Sequence, residues 1–125
     1  MEYTEYSDKV IEHFMCPRNV GTMPDADTEG TYGDVNCGDS ITLYLKIKND
    51  VITNISFLVF GCGAAVAASS MFTELVKGKT LEQARKITGE DVFQALDGLP
   101  PTKLHCSVLG PQALQKALEN YRKED

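Results

Sequence analysis

The chain has 125 residues, 42% of them hydrophobic and 24% charged, with a formal net charge of −6. That length suits one domain able to bury roughly two-thirds of its unfolded surface, so no metal is needed merely to make it fold. The acidic balance argues against nucleic acid as a partner, because binding it needs a basic footprint that displaces counterions, and against adsorption to anionic lipid.

The start, Met1-Glu2-Tyr3-Thr4-Glu5, lacks the basic and apolar stretches of a signal peptide. No apolar run reaches the ~20 residues of a membrane span. A cytoplasmic location is expected, where thiols stay reduced. There, Cys16, Cys37, Cys62 and Cys106 read as ligands or reactive groups rather than bridges.

Residues 6–14 are predicted to be helical. Tyr6, Val10, Ile11 and Phe14 recur at helical spacing, Ser7 suits the N-cap, and Pro17 stops the helix near Cys16. Residues 17–33 contain Pro17, Gly21, Pro24, Gly30 and Gly33 and read as a long loop with a short edge strand near 30–35. Ile41, Leu43, Leu45 and Ile47 then alternate with polar or half-polar residues, the period of a strand with one buried face. Asn49-Asp50 supplies a tight turn, and residues 51–60 are rich in β-branched and aromatic side chains and run back antiparallel. Residues 64–76 begin a helical region that Gly78 closes. Thr80 and Gln83 form a capping box for a short helix, and Thr88 starts another that ends by Gly98. A last helix runs to about Arg122, with Leu109, Ala113, Leu114, Ala117, Leu118 and Tyr121 on one face. Strands first and helices afterwards predict one α+β domain over residues 1–125: a small antiparallel sheet of about three strands with helices packed on one face.

Three cysteines sit at element boundaries. Cys37 precedes the first strong strand, Cys62 lies between a strand end and a helix start, and Cys106 lies near the start of the last helix. Glycines flank Cys37 and Cys62, and glycine lets backbone approach a bound group closely. A helix N-terminus lowers a thiol pKa, a benefit expected for both Cys62 and Cys106. In an extended segment Asp39 points to the same side as Cys37, and His105 directly precedes Cys106. Three thiolates with one imidazole and one carboxylate suit tetrahedral zinc or an iron–sulfur cluster with one non-cysteine ligand. Small buried core cysteines are the alternative. A carboxylate is a hard, poor ligand beside thiolates, so such a site holds a cluster loosely, a property useful in a protein that gives its cluster away. A Cys–His hydrolase is disfavoured, since adjacent helical residues diverge and His105 is poorly directed at Cys106. Cys16, without a glycine flank, is expected to stay outside the set as a structural or exposed thiol. Tyr6 is expected to pack, His13 to lie on the surface or pack rather than ligate, and Lys103 to be solvated or else a neutralising or partner-contacting residue beside the site.

In order, Tyr6-Ser7-Asp8-Lys9-Val10-Ile11 through Pro17-Arg18-Asn19-Val20-Gly21, Cys37-Gly38-Asp39, Gly61-Cys62-Gly63-Ala64-Ala65-Val66-Ala67 and Leu99-Pro100-Pro101-Thr102-Lys103-Leu104-His105-Cys106-Ser107 closely resemble the IscU/NifU family of iron–sulfur cluster scaffolds, over nearly the whole chain. The resemblance implies a scaffold and carrier rather than an enzyme. On it a [2Fe–2S] cluster is built from iron and from sulfur delivered by a cysteine desulfurase of the IscS/NifS type, then passed to apo-proteins. It implies Cys37, Cys62 and Cys106 as ligands, Asp39 or His105 completing the set, and Asp39 keeping the cluster labile. It also implies Cys106 as the main persulfide acceptor, with Cys62 and Cys37 as candidates, and zinc in the cluster-free site. A homodimer around the bound cluster and an Hsp70-type chaperone contact at 99–103 are implied partners. Cys16 stands where the family usually carries Asn, and Thr102 where it usually carries Val. The zinc-dependent SufU branch, a persulfide acceptor, has an insertion between its second and third cysteines and replaces the His; this chain lacks the insertion and keeps His105, which favours the IscU side.

Overall fold

The alternation at 41–47 sets the middle of the fold. The structure, a computed structural model, describes residues 6–34 and 38–123. Strand β2 (Asp39–Lys48) sends Asp39, Ile41, Leu43, Leu45 and Ile47 to one buried face. Asn49 and Asp50 take φ values of 54° and 63°, the left-handed pair that a two-residue type I′ turn requires. Strand β3 (Val51–Phe60) returns antiparallel. Strand β1 (Thr28–Asp34) pairs antiparallel with the other side of β2, giving the order β1-β2-β3 among the described residues.

The edge strand starts earlier than the sequence pattern indicates, at Thr28 rather than near Gly30, and Val35 lies outside the described residues. The cause is tertiary: the Thr28 hydroxyl is buried and donates to the Ala117 carbonyl at 2.7 Å. The segment before it is not merely a loop. The Asn19 carbonyl accepts from Phe57 N–H at 2.9 Å and Gly21 N–H donates to the Phe57 carbonyl at 2.8 Å. These bonds occupy part of the free edge of β3, which would otherwise be open to pairing.

Helix α1 (Asp8–Met15) is capped by the Ser7 hydroxyl, which accepts from Val10 N–H at 3.1 Å. It packs on α2 (Gly63–Val76). α2 and α5 (Leu109–Lys123) cover the inner face of the sheet. Between them, α3 (Leu81–Arg85) and α4 (Gly89–Ala95) each start on a capping box, Thr80 with Gln83 and Thr88 with Asp91. Phe57, Phe72, Leu43, Ile55 and Leu114 fill the core. The architecture is the α+β arrangement that the sequence predicts. His13 packs rather than binds: it is buried, its Nδ1 is 2.7 Å from Ser70 Oγ, and that oxygen also accepts from Arg18 N–H at 2.9 Å.

Two predictions follow from this packing. A Cβ on Gly30 would stand 2.8 Å from Ala117 Cα, against helix backbone, whereas one on Gly33 meets its nearest neighbour, Ser40 Cβ, at an ordinary 3.5 Å. Gly30→Ala should therefore destabilise the protein by about 1–3 kcal/mol in urea unfolding, and Gly33→Ala should not. Burial, and secondarily the Arg18 charge, hold the His13 pKa below its ordinary value. The unfolded chain then binds this proton more readily, so His13 lowers stability as pH falls from about 7 through the unfolded pKa near 6.5. Unfolding measured against pH should show a shallower slope there for His13→Gln.

Candidate metal site

Where β3 ends, Gly61-Cys62-Gly63 turns the chain into α2, and Cys62 is the N-cap residue with extended backbone (φ −78°, ψ 173°). Its side chain makes no capping bond, which leaves the sulfur free to point elsewhere. Asp39 is the first residue of β2 and lies on the inner face in line with Ile41, only 5% exposed. His105 and Cys106 come from a 3-10 turn, Pro101–Val108, that Pro101 opens and α5 continues.

These three elements bring their polar ends together. Cys62 Sγ and Cys106 Sγ are 3.8 Å apart. Asp39 Oδ2 lies 4.0 Å from Cys62 Sγ and 3.8 Å from Cys106 Sγ. His105 Nε2 is 3.6 Å from the same Oδ2 and 3.5 Å from Cys106 Sγ. With metal–sulfur bonds of about 2.3 Å, a tetrahedral site has sulfur–sulfur edges of about 3.8 Å, and its mixed edges are somewhat shorter. Asp39, Cys62 and Cys106 therefore form a three-donor group close to the size of one tetrahedral metal site, with His105 beside Asp39 and Cys106. In a two-metal cluster, ligands on opposite metals stand further apart, so a cluster requires the set to open. Cys37 lies outside the described residues, and Cys16 is exposed at the end of α1, outside the described Asp39–Cys62–Cys106 group.

The structure corrects two expectations about Cys106. It does not sit at a helix N-terminus but late in the 3-10 turn, fully buried. Desolvation first, then the neighbouring Cys62 and Asp39, push its thiol pKa well up, with Lys103 opposing. Nor does His105 diverge from it: the imidazole folds back to 3.5 Å. A side chain of that length can return to its neighbour even though the two Cα–Cβ bonds point apart. Lys103 lies close to the site: its neighbour Cys62, foremost, raises its pKa, with desolvation opposing.

The sequence did not indicate Phe14 as a site neighbour. Its helical spacing assigns it to a buried face, yet the ring is half exposed and covers Gly63, where a Cβ would stand 3.1 Å from two ring carbons. Met15, Phe60 and Leu104 are exposed too, Phe60 at 77%. A surface hollow lined by Met23, Pro24, Asp27 and Asn120 lies away from the site and contains no thiol.

Fold and site together define an α+β domain with a largely buried thiol–carboxylate–imidazole cluster drawn from two strand ends and a 3-10 turn. Residues 5–125 match the family described as the NifU-like N terminal domain, and the chain belongs to that family. It is 54% identical over 116 residues to the iron–sulfur cluster assembly scaffold protein IscU 1 of Archaeoglobus fulgidus, covering 93% of this chain and 76% of that one. It is 47% identical over 119 residues to IscU of Aquifex aeolicus, covering 94% and 76%. Among solved structures, one from Fervidobacterium islandicum, described as a cluster assembly scaffold for the SUF system, superposes with a TM-score of 0.78 over 94% of this chain and 99% of that one, at 21% identity. That likeness shows the fold alone. No helix among the described residues is long and apolar enough to cross a membrane.

Exposure and pKa together order the thiols of the metal-free protein. Iodoacetamide at neutral pH, with modified peptides mapped by mass spectrometry, should label exposed Cys16 at least about tenfold faster than buried Cys106. Equal rates would contradict the geometry.

Proposed function

We propose that this chain is a scaffold on which [2Fe–2S] clusters are assembled and from which they are passed to apo-proteins. One observation carries the reading: Asp39 Oδ2 meets Cys62 Sγ, Cys106 Sγ and His105 Nε2 within 4.0 Å, at the ends of two strands and in the 3-10 turn. Iron and cluster are cargo rather than residents. Cys62, Cys106 and Cys37 supply the soft thiolates, Asp39 or His105 completes the set, and a carboxylate among thiolates weakens the hold. The names of the IscU relatives, which describe scaffold proteins, support the reading; in it the chain acts as a carrier rather than an enzyme.

Sulfur arrives by thiol exchange. The Cys106 thiolate attacks the outer sulfur of a desulfurase persulfide; the S–S bond to the desulfurase breaks, its cysteine leaves as thiolate, and Cys106 holds the persulfide. No net oxidant or reductant is consumed. Because Cys106 is buried and its thiol is held protonated, the 3-10 turn has to open for that attack; Cys62 and Cys37 are the other acceptors to test. Lys103, close to Cys62, would balance the charge of metal-bound thiolates. The exposed apolar rim of Phe14, Met15, Phe60 and Leu104 fits docking of the desulfurase, of recipient proteins or of a second copy around a bound cluster. A contact of an Hsp70-type chaperone at 99–103 falls on the segment that opens into the site. The setting is the reducing cytoplasm.

A second reading has its own support: the close spacing of the Asp39, Cys62 and Cys106 donors suits mononuclear zinc, as in a zinc-binding persulfide acceptor of the SufU kind. Anaerobic reconstitution with ferrous iron, cysteine and a desulfurase separates the two. Absorption and Mössbauer spectra should show a [2Fe–2S] centre that Cys62→Ser and Cys106→Ser abolish. Retained zinc with no cluster signal would favour the second reading over the first. Asp39→Ala should lengthen the half-time of transfer to an apo-ferredoxin several-fold, and an unchanged half-time would contradict the role given to the carboxylate.

A further inference from the structure

Gly61 lies directly across the hairpin from Asp39. Ser40 pairs with Phe60 and Ile41 with Val59, so the next step of the same register sets position 39 against position 61. Facing residues of an antiparallel pair normally bring two side chains together. Here there is only one, and the Asp39 carboxylate lies over the bare Cα of Gly61. A Cβ built on Gly61 would stand 2.7 Å from Asp39 Cγ and 3.1 Å from Asp39 Cβ, with Oδ1 also in its way. Turning the carboxylate about its last bond does not relieve an approach that reaches Cγ; the whole side chain has to swing away.

The need at position 61 is for empty space and not for backbone freedom. Left-handed glycine conformations occur at Gly21, Gly38, Gly78 and Gly98, whereas Gly61 does not adopt one. The missing Cβ of Gly63, by contrast, faces the Phe14 ring. The two glycines beside Cys62 therefore make room for different groups.

We propose that Gly61 is a positioning residue: the space above its Cα holds the Asp39 carboxylate among Cys62, Cys106 and His105, and so sets how weakly the site grips its metal. The consequence for cluster transfer rests on the scaffold reading above; the steric seat does not. Gly61→Ala should reproduce the behaviour of Asp39→Ala while leaving every donor atom in the chain.

The test compares the wild-type chain with Gly61→Ala, Asp39→Ala and the double variant. Each is loaded with cobalt(II) alone, assayed for cluster transfer to an apo-ferredoxin, and unfolded in urea. The visible cobalt spectrum of Gly61→Ala should match that of Asp39→Ala, and the double variant should add nothing. The three transfer half-times should agree within about twofold, as expected for changes that remove one shared interaction. If Gly61→Ala is less stable or does not fold, adding Asp39→Ala should restore most of the loss, because Cγ and Oδ1 are then gone. A cobalt spectrum of Gly61→Ala equal to wild type overturns the proposal. So does a spectral change or stability loss that is the same size with Ala at position 39. If Asp39→Ala leaves transfer unchanged, the scaffold role of the carboxylate fails, while the cobalt spectra and the unfolding cycle still decide for or against the seat.

Discussion

Between the turn at Asn49-Asp50 and the site, β3 carries one residue more than β2. Ile47 pairs with Ile52, but Lys46 pairs with Asn54, so Thr53 is left over as a bulge, and its hydroxyl donates back to the Lys46 carbonyl at 3.2 Å. Everything beyond the bulge is shifted by one step. Since a one-residue slip exchanges the faces of a strand pair, this extra residue is what lets Asp39 share the inner face with Ile41 and Leu43 and still stand opposite Gly61. Bulges commonly re-aim side chains near functional sites. Here the bulge lies several residues from the site it aligns.

From that register the rest of the site follows. The carboxylate comes from the start of one strand, a thiol from the end of its partner, and the second thiol with the imidazole from the turn that leads into α5. No single element contributes the whole donor set, so the site is only as well formed as the packing between sheet, α2 and the 3-10 turn. The small residues of α2, Ala64, Ala65, Ala67 and Ala68, are all buried and allow the helix to lie close on β3. Two of the site's donors stand on a 3-10 turn, a type of helix whose hydrogen bonds are poorer in geometry than those of an α-helix. That combination suits a place where metal is gathered and released.

Much of this was legible in the residues. The period-two run at 41–47, the Asn49-Asp50 turn, the Ser7, Thr80 and Thr88 caps and the last amphipathic helix are local signals, and the structure follows them within a few residues. The early start of β1 was not legible, because it depends on Thr28 reaching a carbonyl of α5. Site membership was read from the order of cysteine motifs and from their resemblance to a known family. The thiol environments were not: the burial of Cys106 and the fold-back of His105 come from tertiary packing around a 3-10 turn that the pattern presents as an ordinary helix start. Gly61 and Gly63 look equivalent in sequence, and only the facing groups, a carboxylate and a phenyl ring, tell them apart.

The convergence of donors from three elements is open to X-ray absorption at the zinc edge of protein loaded with one equivalent of zinc. The geometry predicts a mixed first shell, with sulfur at about 2.3 Å and nitrogen or oxygen at about 2.0–2.2 Å. Replacing Asp39 or His105 should alter its light-atom component, and Cys16→Ser should leave it unchanged. A shell without sulfur, or one that changes with Cys16→Ser, would contradict the assignment of Cys62, Cys106, Asp39 and His105 to a single site.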